Sequence, residues 1–279
     1  MNRLAMLACL LACAATGSAG AAPMKADHLG VELIAESNAL VPGQRSWIGV
    51  QLRHEPHWHT YWINPGDSGL PTKIKWQLPD GVTAGDIAWP APQRFEVGGL
   101  YNFGYAGDVV LPVPLQVGAN VKPGTTAHLS ADVRWLVCRE QCIPGKATLR
   151  LDLPVAADAA PNPRWRKAFA AAHAAQPVAS AWNGNASLSG DRVEVSLHGA
   201  ELPPVDAIDA FVVQNQVVGY APPEVTRDGD TLQLVFPKSE YLTATPASLD
   251  VVLVDSKSGK PYVRSVTVPF AAATVSSTP

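Results

Sequence analysis

Between residues 147 and 155 every second side chain is apolar: Leu149, Leu151 and Leu153 stand against Thr148, Arg150 and Asp152. A period of two places successive side chains on opposite faces of an extended chain and does not suit a helix. The pattern recurs along most of the sequence. Residues 31–36, 46–53, 73–78, 109–117 and 128–137 read as strands, and so do 192–197, 210–218, 231–236, 249–255 and 262–269. Turns such as Val41-Pro42-Gly43 and Pro79-Asp80-Gly81 separate them, drawn from 25 prolines and 22 glycines. Residues 54–67 form an aromatic strand closed by Asn64-Pro65-Gly66-Asp67. Residues 88–96 hold too many prolines for a central strand and are expected at an edge or in a loop. Residues 100–107, Leu-Tyr-Asn-Phe-Gly-Tyr-Ala-Gly, read as an aromatic loop. Short strands about every ten residues argue for a mostly β chain built as a sandwich.

The 279 residues suffice for two domains. Met1-Asn2-Arg3 followed by an apolar run over 4–15 resembles an export signal, with a small-residue cleavage site at Ala19-Gly20-Ala21. The run is too short to span a bilayer. Residues 1–21 are therefore expected to leave, taking Cys9 and Cys13, although Leu10-Leu11-Ala12-Cys13 also loosely resembles a lipidation signal. Residues 22–155 form the first domain, 156–179 a helical linker, 180–271 a second β domain and 272–279 a disordered tail. Within the linker, residues 161–176 read as a helix, with Asn162 as cap, Pro163 in the first turn and alanines in the interior. A net charge of −3 without any basic run excludes a nucleic-acid-binding field.

Two cysteines remain beyond the signal, Cys138 and Cys142, in Trp135-Leu136-Val137-Cys138-Arg139-Glu140-Gln141-Cys142-Ile143-Pro144-Gly145-Lys146. They lie at or beside a reversal between two strands, followed by a Pro-Gly turn, within reach of a disulfide. Closing so short a loop stabilises by only about 2 kcal/mol in the chain-entropy model. Such a bond is a weak brace, and opening it costs the fold little. The spacing leaves open a redox pair, a structural hairpin disulfide and a thiolate metal site. Cys138 ends an apolar run and is expected to be the more buried sulfur; Cys142 follows three polar residues and is expected nearer the surface. His54, His57 and His59 cluster among aromatics, and His57 and His59 would share one face of a strand, able to take a metal together or simply to pack.

Several of these motifs occur together: His57-Trp58-His59-Thr60-Tyr61-Trp62, Asn64-Pro65-Gly66-Asp67, Trp89-Pro90-x-Pro92, Phe103-Gly104-Tyr105 and Trp135-Leu136-Val137-Cys138-x-x-x-Cys142-x-Pro144-Gly145. Over about residues 30–155 the combination resembles the periplasmic N-terminal domain of the thiol:disulfide interchange reductase DsbD, in the longer ScsB-like form that adds a second β domain. The resemblance implies two immunoglobulin-like β-sandwich domains and a periplasmic electron relay through Cys138 and Cys142, with no cofactor. The implied donor is a membrane conduit of the DsbD or CcdA type, or a thioredoxin-like protein. The implied acceptors are oxidised periplasmic proteins of thioredoxin fold. Neither a membrane segment nor a thioredoxin-like domain is read in this sequence, so the conduit would be a separate protein. The resemblance also implies an aromatic cap over the disulfide, expected in the stretch Tyr101 to Tyr105, with Phe103 first, then Tyr105 and Tyr101. The readings set against the relay are a copper-handling protein using the cysteines with a histidine, and a non-catalytic exported β module.

Overall fold

The alternation at 147–155 becomes one arm of a long hairpin. In the computed structural model, which describes residues 23–255 and 262–271, eleven strands precede a single α-helix and eight follow it among the described residues. The segment expected to be an export signal, with Cys9 and Cys13, and the tail from 272 onward lie outside the described residues. The first strands are β1 (Met24–Ala26), β2 (Leu29–Ala35), β3 (Arg45–His54), β4 (His59–Gly66), β5 (Lys73–Gln77) and β6 (Val82–Ala84). Next come β7 (Gln93–Val97), β8 (Leu100–Ala106), β9 (Asp108–Val117), β10 (Thr126–Cys138) and β11 (Cys142–Pro154). After helix α1 (Arg166–Ala174) follow β12 (Val178–Ala179), β13 (Asn183–Ser189), β14 (Arg192–His198) and β15 (Ile208–Val212). The last are β16 (Glu224–Asp228), β17 (Thr231–Pro237), β18 (Ser248–Asp255) and β19 (Val263–Pro269).

Strands up to β11 make two sheets, ordered β1-β2-β3-β9-β6 and β11-β10-β4-β8-β7, with β5 also paired to β10. Apolar residues of both sheets, among them Val31, Leu33, Ile48 and Val113 on one and Val133, Trp135 and Leu149 on the other, form one buried core. Strands from β12 on make a second pair of sheets, β12-β19-β18-β15 and β13-β14-β17-β16, around their own core of Val195, Leu234, Val251 and Val268. The chain is therefore mostly β, as the alternation requires.

The two halves do not hang loosely. Phe211, Tyr220, Val252 and Val263 of the second half are buried in the core of the first. Arg94 on β7, whose side chain is 8% exposed, pairs with Asp209 at 2.7 Å, donates to the carbonyls of Ala210 and Tyr220, and lies over the rings of Phe103 and Phe211. The buried Asn64 donates from Nδ2 to the carbonyl of Val212 at 2.8 Å. A buried charge is stable only when paired and hydrogen-bonded, and here Arg94 is both.

Five local expectations change. Residues 100–107 are not a loop but the strand β8, central between β4 and β7. Its glycine is the reason: a Cβ at Gly104 would lie 1.8 Å from the Thr60 carbonyl, so glycine is what lets β8 close on β4. Pro144-Gly145 is not a turn either. Both sit in β11 opposite Leu136 and Trp135, and the reversal is Arg139-Glu140-Gln141. Proline is tolerated there because β11 is an edge strand. The helix starts at Arg166, later than expected. Asn162 instead caps a preceding turn, its Oδ1 accepting the Arg164 N–H at 3.1 Å. Nor is the helix a bare connector, because Phe169 and Ala172 pack with Ile34 and Val110 of the first sandwich. Finally, the strand expected over 210–218 ends at Val212, and β13 and β16 form from small and polar residues without a clear apolar alternation.

Candidate functional site: the Cys138–Cys142 disulfide

Thirteen consecutive residue pairs join β10 to β11, from Thr126 opposite Pro154 to Cys138 opposite Cys142. The last rung of this hairpin is a disulfide, with Cα atoms 4.2 Å apart. The two sulfurs see different surroundings. Cys138 is 2% exposed, whereas Cys142 lies at the surface beside the exposed Arg139, Glu140 and Gln141.

Strand parity decides what stands around the pair. Residues directly opposite in a sheet share a face, and neighbours along a strand alternate. Cys138 is opposite His59 of β4, and His59 is opposite Ala106 of β8. The disulfide face therefore carries His59 and Tyr61 from β4, Ala106, Gly104 and Asn102 from β8, and Phe95 of β7, which is opposite Asn102. Ring contacts agree. Phe95 stacks on His59 at 4.7 Å, Tyr61 meets His59 edge-on at 5.3 Å, and the Tyr61 hydroxyl is 3.6 Å from Cys142 Sγ. Gly69 sits against the Tyr61 ring, where a Cβ would come within 2.2 Å, and its φ of +97° is itself a conformation that favours glycine.

The expected cap residues lie on the other face. Tyr105 is opposite Thr60, and Tyr101 and Phe103 share its parity. Phe103 is 2% exposed and packs edge-on against Phe211 and Tyr220. Tyr105 is buried, its hydroxyl donating to the Pro90 carbonyl at 2.7 Å, which accounts for the Trp89-Pro90 motif; burial raises its pKa well above the ordinary tyrosine value. Tyr101 takes part through its backbone, its N–H donating to Asp67 at 2.7 Å. Read as a loop, residues 101–105 could turn any ring toward the sulfurs; as a strand they cannot. The aromatics on the disulfide face are Tyr61 and, stacked on His59, the half-buried Phe95, from a segment expected at an edge or in a loop for its prolines. An alternation reading of 93–106 as a hairpin would have found it.

The histidines separate. His57 sits in the turn before β4 with φ +71°, exposed, and does not share a strand face with His59. His54 bonds the Gly107 carbonyl at 2.7 Å and the Thr60 hydroxyl at 2.9 Å. Burial lowers its pKa, partly offset by the Gly107 carbonyl and Asp108. His59 is buried, and desolvation, with a small contribution from His54, lowers its pKa to about 4. Among the described residues no group of three or more His, Cys, Asp and Glu is placed to hold a metal ion.

Residues 30–154 match the model of the family described as thiol:disulfide interchange protein DsbD, N-terminal. The match spans the first pair of sheets, from β2 to the end of β11. The solved N-terminal periplasmic domain of ScsB from Proteus mirabilis superposes with a TM-score of 0.65 at 22% identity, over 90% of this chain and 97% of that one. The fold is thus the immunoglobulin-like one of this family, and the likeness extends over both halves. The major pilin subunit of Bacillus cereus aligns over 87% of this chain and 68% of its own, with 7% identity and a TM-score of 0.26, too low to bear on the fold. No curated protein matches the chain. A disulfide at a hairpin tip with one cysteine at the surface, in a segment that matches this family, supports a thiol–disulfide exchange module. No helix among the described residues is long and apolar enough to cross a membrane.

Proposed function

We propose that this protein relays reducing equivalents in the periplasm through Cys138 and Cys142, and that Cys142 forms the mixed disulfide with partners. The single observation that carries the reading is the asymmetry of the bond: one sulfur is exposed and the other 2% exposed. Exchange requires approach along the S–S axis, so a partner thiolate reaches Cys142 and expels Cys138. The new bond joins the partner to Cys142, and the electron pair of the broken bond leaves with Cys138. A second partner thiol then attacks the mixed disulfide, releasing Cys142. Two electrons and two protons have entered, and the partner is left oxidised. Run backwards on an oxidised partner, the same steps deliver the electrons.

The proposed donor is a membrane conduit of the DsbD or CcdA type, or a thioredoxin-like protein; the acceptors are oxidised periplasmic proteins of thioredoxin fold. Residues 1–21 would direct export, residues 22–155 would be the redox domain, and 180–271 a second sandwich that braces it. Phe95, stacked on His59, would be the aromatic that screens the pair, and Leu70, 63% exposed on the loop over Tyr61, would supply apolar contact to a partner.

The test is partner trapping. Cys138→Ser should form covalent complexes with a thioredoxin-like protein lacking its resolving cysteine, and Cys142→Ser should not. Complexes that persist only in Cys142→Ser would reverse the assignment. A reduction potential well below about −300 mV would make the bond a brace.

A further inference from the structure

We infer that His59 is the positioning residue for the leaving sulfur: its Nε2–H finds no acceptor while the disulfide is closed and donates a hydrogen bond to the Cys138 thiolate once the disulfide opens. The inference rests on the exchange reading above and goes beyond it by naming the group that stabilises the reduced pair.

Three observations carry it. First, His59 Nε2 is buried without a hydrogen-bond partner, one of four such side-chain atoms among the described residues. A buried, unsatisfied donor costs about 1–3 kcal/mol and calls for a reason. Secondly, His59 is the residue directly opposite Cys138. Cross-strand neighbours on one face have Cβ atoms about 5 Å apart, within reach of an imidazole and a thiolate. Thirdly, the ring is confined, stacked on Phe95 at 4.7 Å and held edge-on by Tyr61 at 5.3 Å, so it is not free to turn its nitrogen toward water.

The chemistry follows. In the closed bond both electron pairs on Cys138 Sγ are poor acceptors. Attack on Cys142 leaves a full negative charge on Cys138, in a site 2% exposed that water cannot solvate. A buried anion without a donor is unstable, so the exchange would stall. With the proton of the neutral ring on Nε2, that N–H is a donor within cross-strand reach of the new charge, and the hydrogen bond is charge-assisted, roughly twice as strong as a neutral one. No proton need change hands in this step. Burial keeps the ring uncharged at neutral pH, with a pKa of about 4, so the donor is an imidazole and not an imidazolium. Tyr61, whose hydroxyl is 3.6 Å from Cys142 Sγ, lies at the other sulfur and does not compete for Cys138.

The full two-cysteine protein is equilibrated with glutathione buffers. His59→Phe keeps a stacked ring and removes the donor; His59→Gln restores an N–H. His59→Phe is expected to shift the dithiol–disulfide equilibrium about tenfold toward the disulfide, a fall of 29.6 mV in potential. His59→Gln should return to within about threefold of the native value. A purely structural role would weaken both redox forms alike and leave the potential unmoved. Independently of any variant, the ¹⁵N resonance of His59 Nε2 in the native protein should move on reduction. An unchanged potential in His59→Phe, or an Nε2 resonance identical in both redox states, overturns the inference. These outcomes are distinct from failure of the exchange reading itself, which would show as a native protein that no thioredoxin-like donor reduces.

Discussion

Phe95 and Phe103 are eight residues apart and on opposite faces of one sheet, and their truncation should separate access from stability. Phe95→Ala is expected to speed reduction of the disulfide by a small thiol about tenfold, equivalent to ~1.4 kcal/mol of barrier, with little change in melting temperature. Phe103→Ala should do the reverse. Its ring is buried against Phe211 and Tyr220, so truncation should cost about 3–5 kcal/mol in urea unfolding and leave the reduction rate of the folded protein unchanged. Fast reduction with native stability in Phe103→Ala would return the cap to that residue. Gly145 offers a further test. A Cβ there would lie 2.2 Å from the Trp135 ring, so Gly145→Ala should destabilise by about 1–3 kcal/mol, read from the urea midpoint. That glycine was legible in the sequence only as a turn residue. Its work is to let a tryptophan lie flat across the hairpin.

At the scale of elements, β7 joins the site to the second half of the chain. Alternate residues of this edge strand face opposite ways: Arg94 into Asp209 and the second sandwich, Phe95 onto His59. Arg94→Ala would leave Asp209 without its partner, and the loss is expected to be about 3 kcal/mol. Because β7 is held at its inner side by this contact, the same variant should also speed reduction of the disulfide. Urea unfolding and the small-thiol rate measure the two effects. Lost stability with an unaltered rate would mean that β7 is held by its pairing to β8 alone. Little of this was visible beforehand. Proline density marked 88–96 as edge or loop, and both occur, irregular chain at 88–92 and the edge strand β7 from Gln93, but no local pattern distinguishes an edge strand facing water from one that grips another sandwich.

For the whole molecule the two buried histidines set an acid limit. Both His54 and His59 have lowered folded pKa values, that of His59 falling from 6.5 to about 4. The unfolded chain therefore binds protons that the folded one refuses. Stability is complete above about pH 6.5 and falls as pH drops toward 4, by at most about 1.4 kcal/mol per pH unit for each ring. The urea midpoint should fall between pH 7 and pH 4.5, and His59→Phe should flatten the fall; equal midpoints at both pH values would contradict the burial of these rings. How much of the molecule the sequence determined by itself follows from which forces are local. Alternation at 128–137 and 147–155 is carried by the residues themselves, so it specified the hairpin, and with it the meeting of Cys138 and Cys142 and the greater burial of Cys138. Which aromatics face that pair was decided only by tertiary structure. His59 reaches Cys138 through a pairing across 79 residues, and a one-residue slip in β4 or β8 would exchange Phe103 for its neighbours on the disulfide face. A strand's period is written in its own side chains, but its face and partners depend on register, and register is set by packing against distant strands.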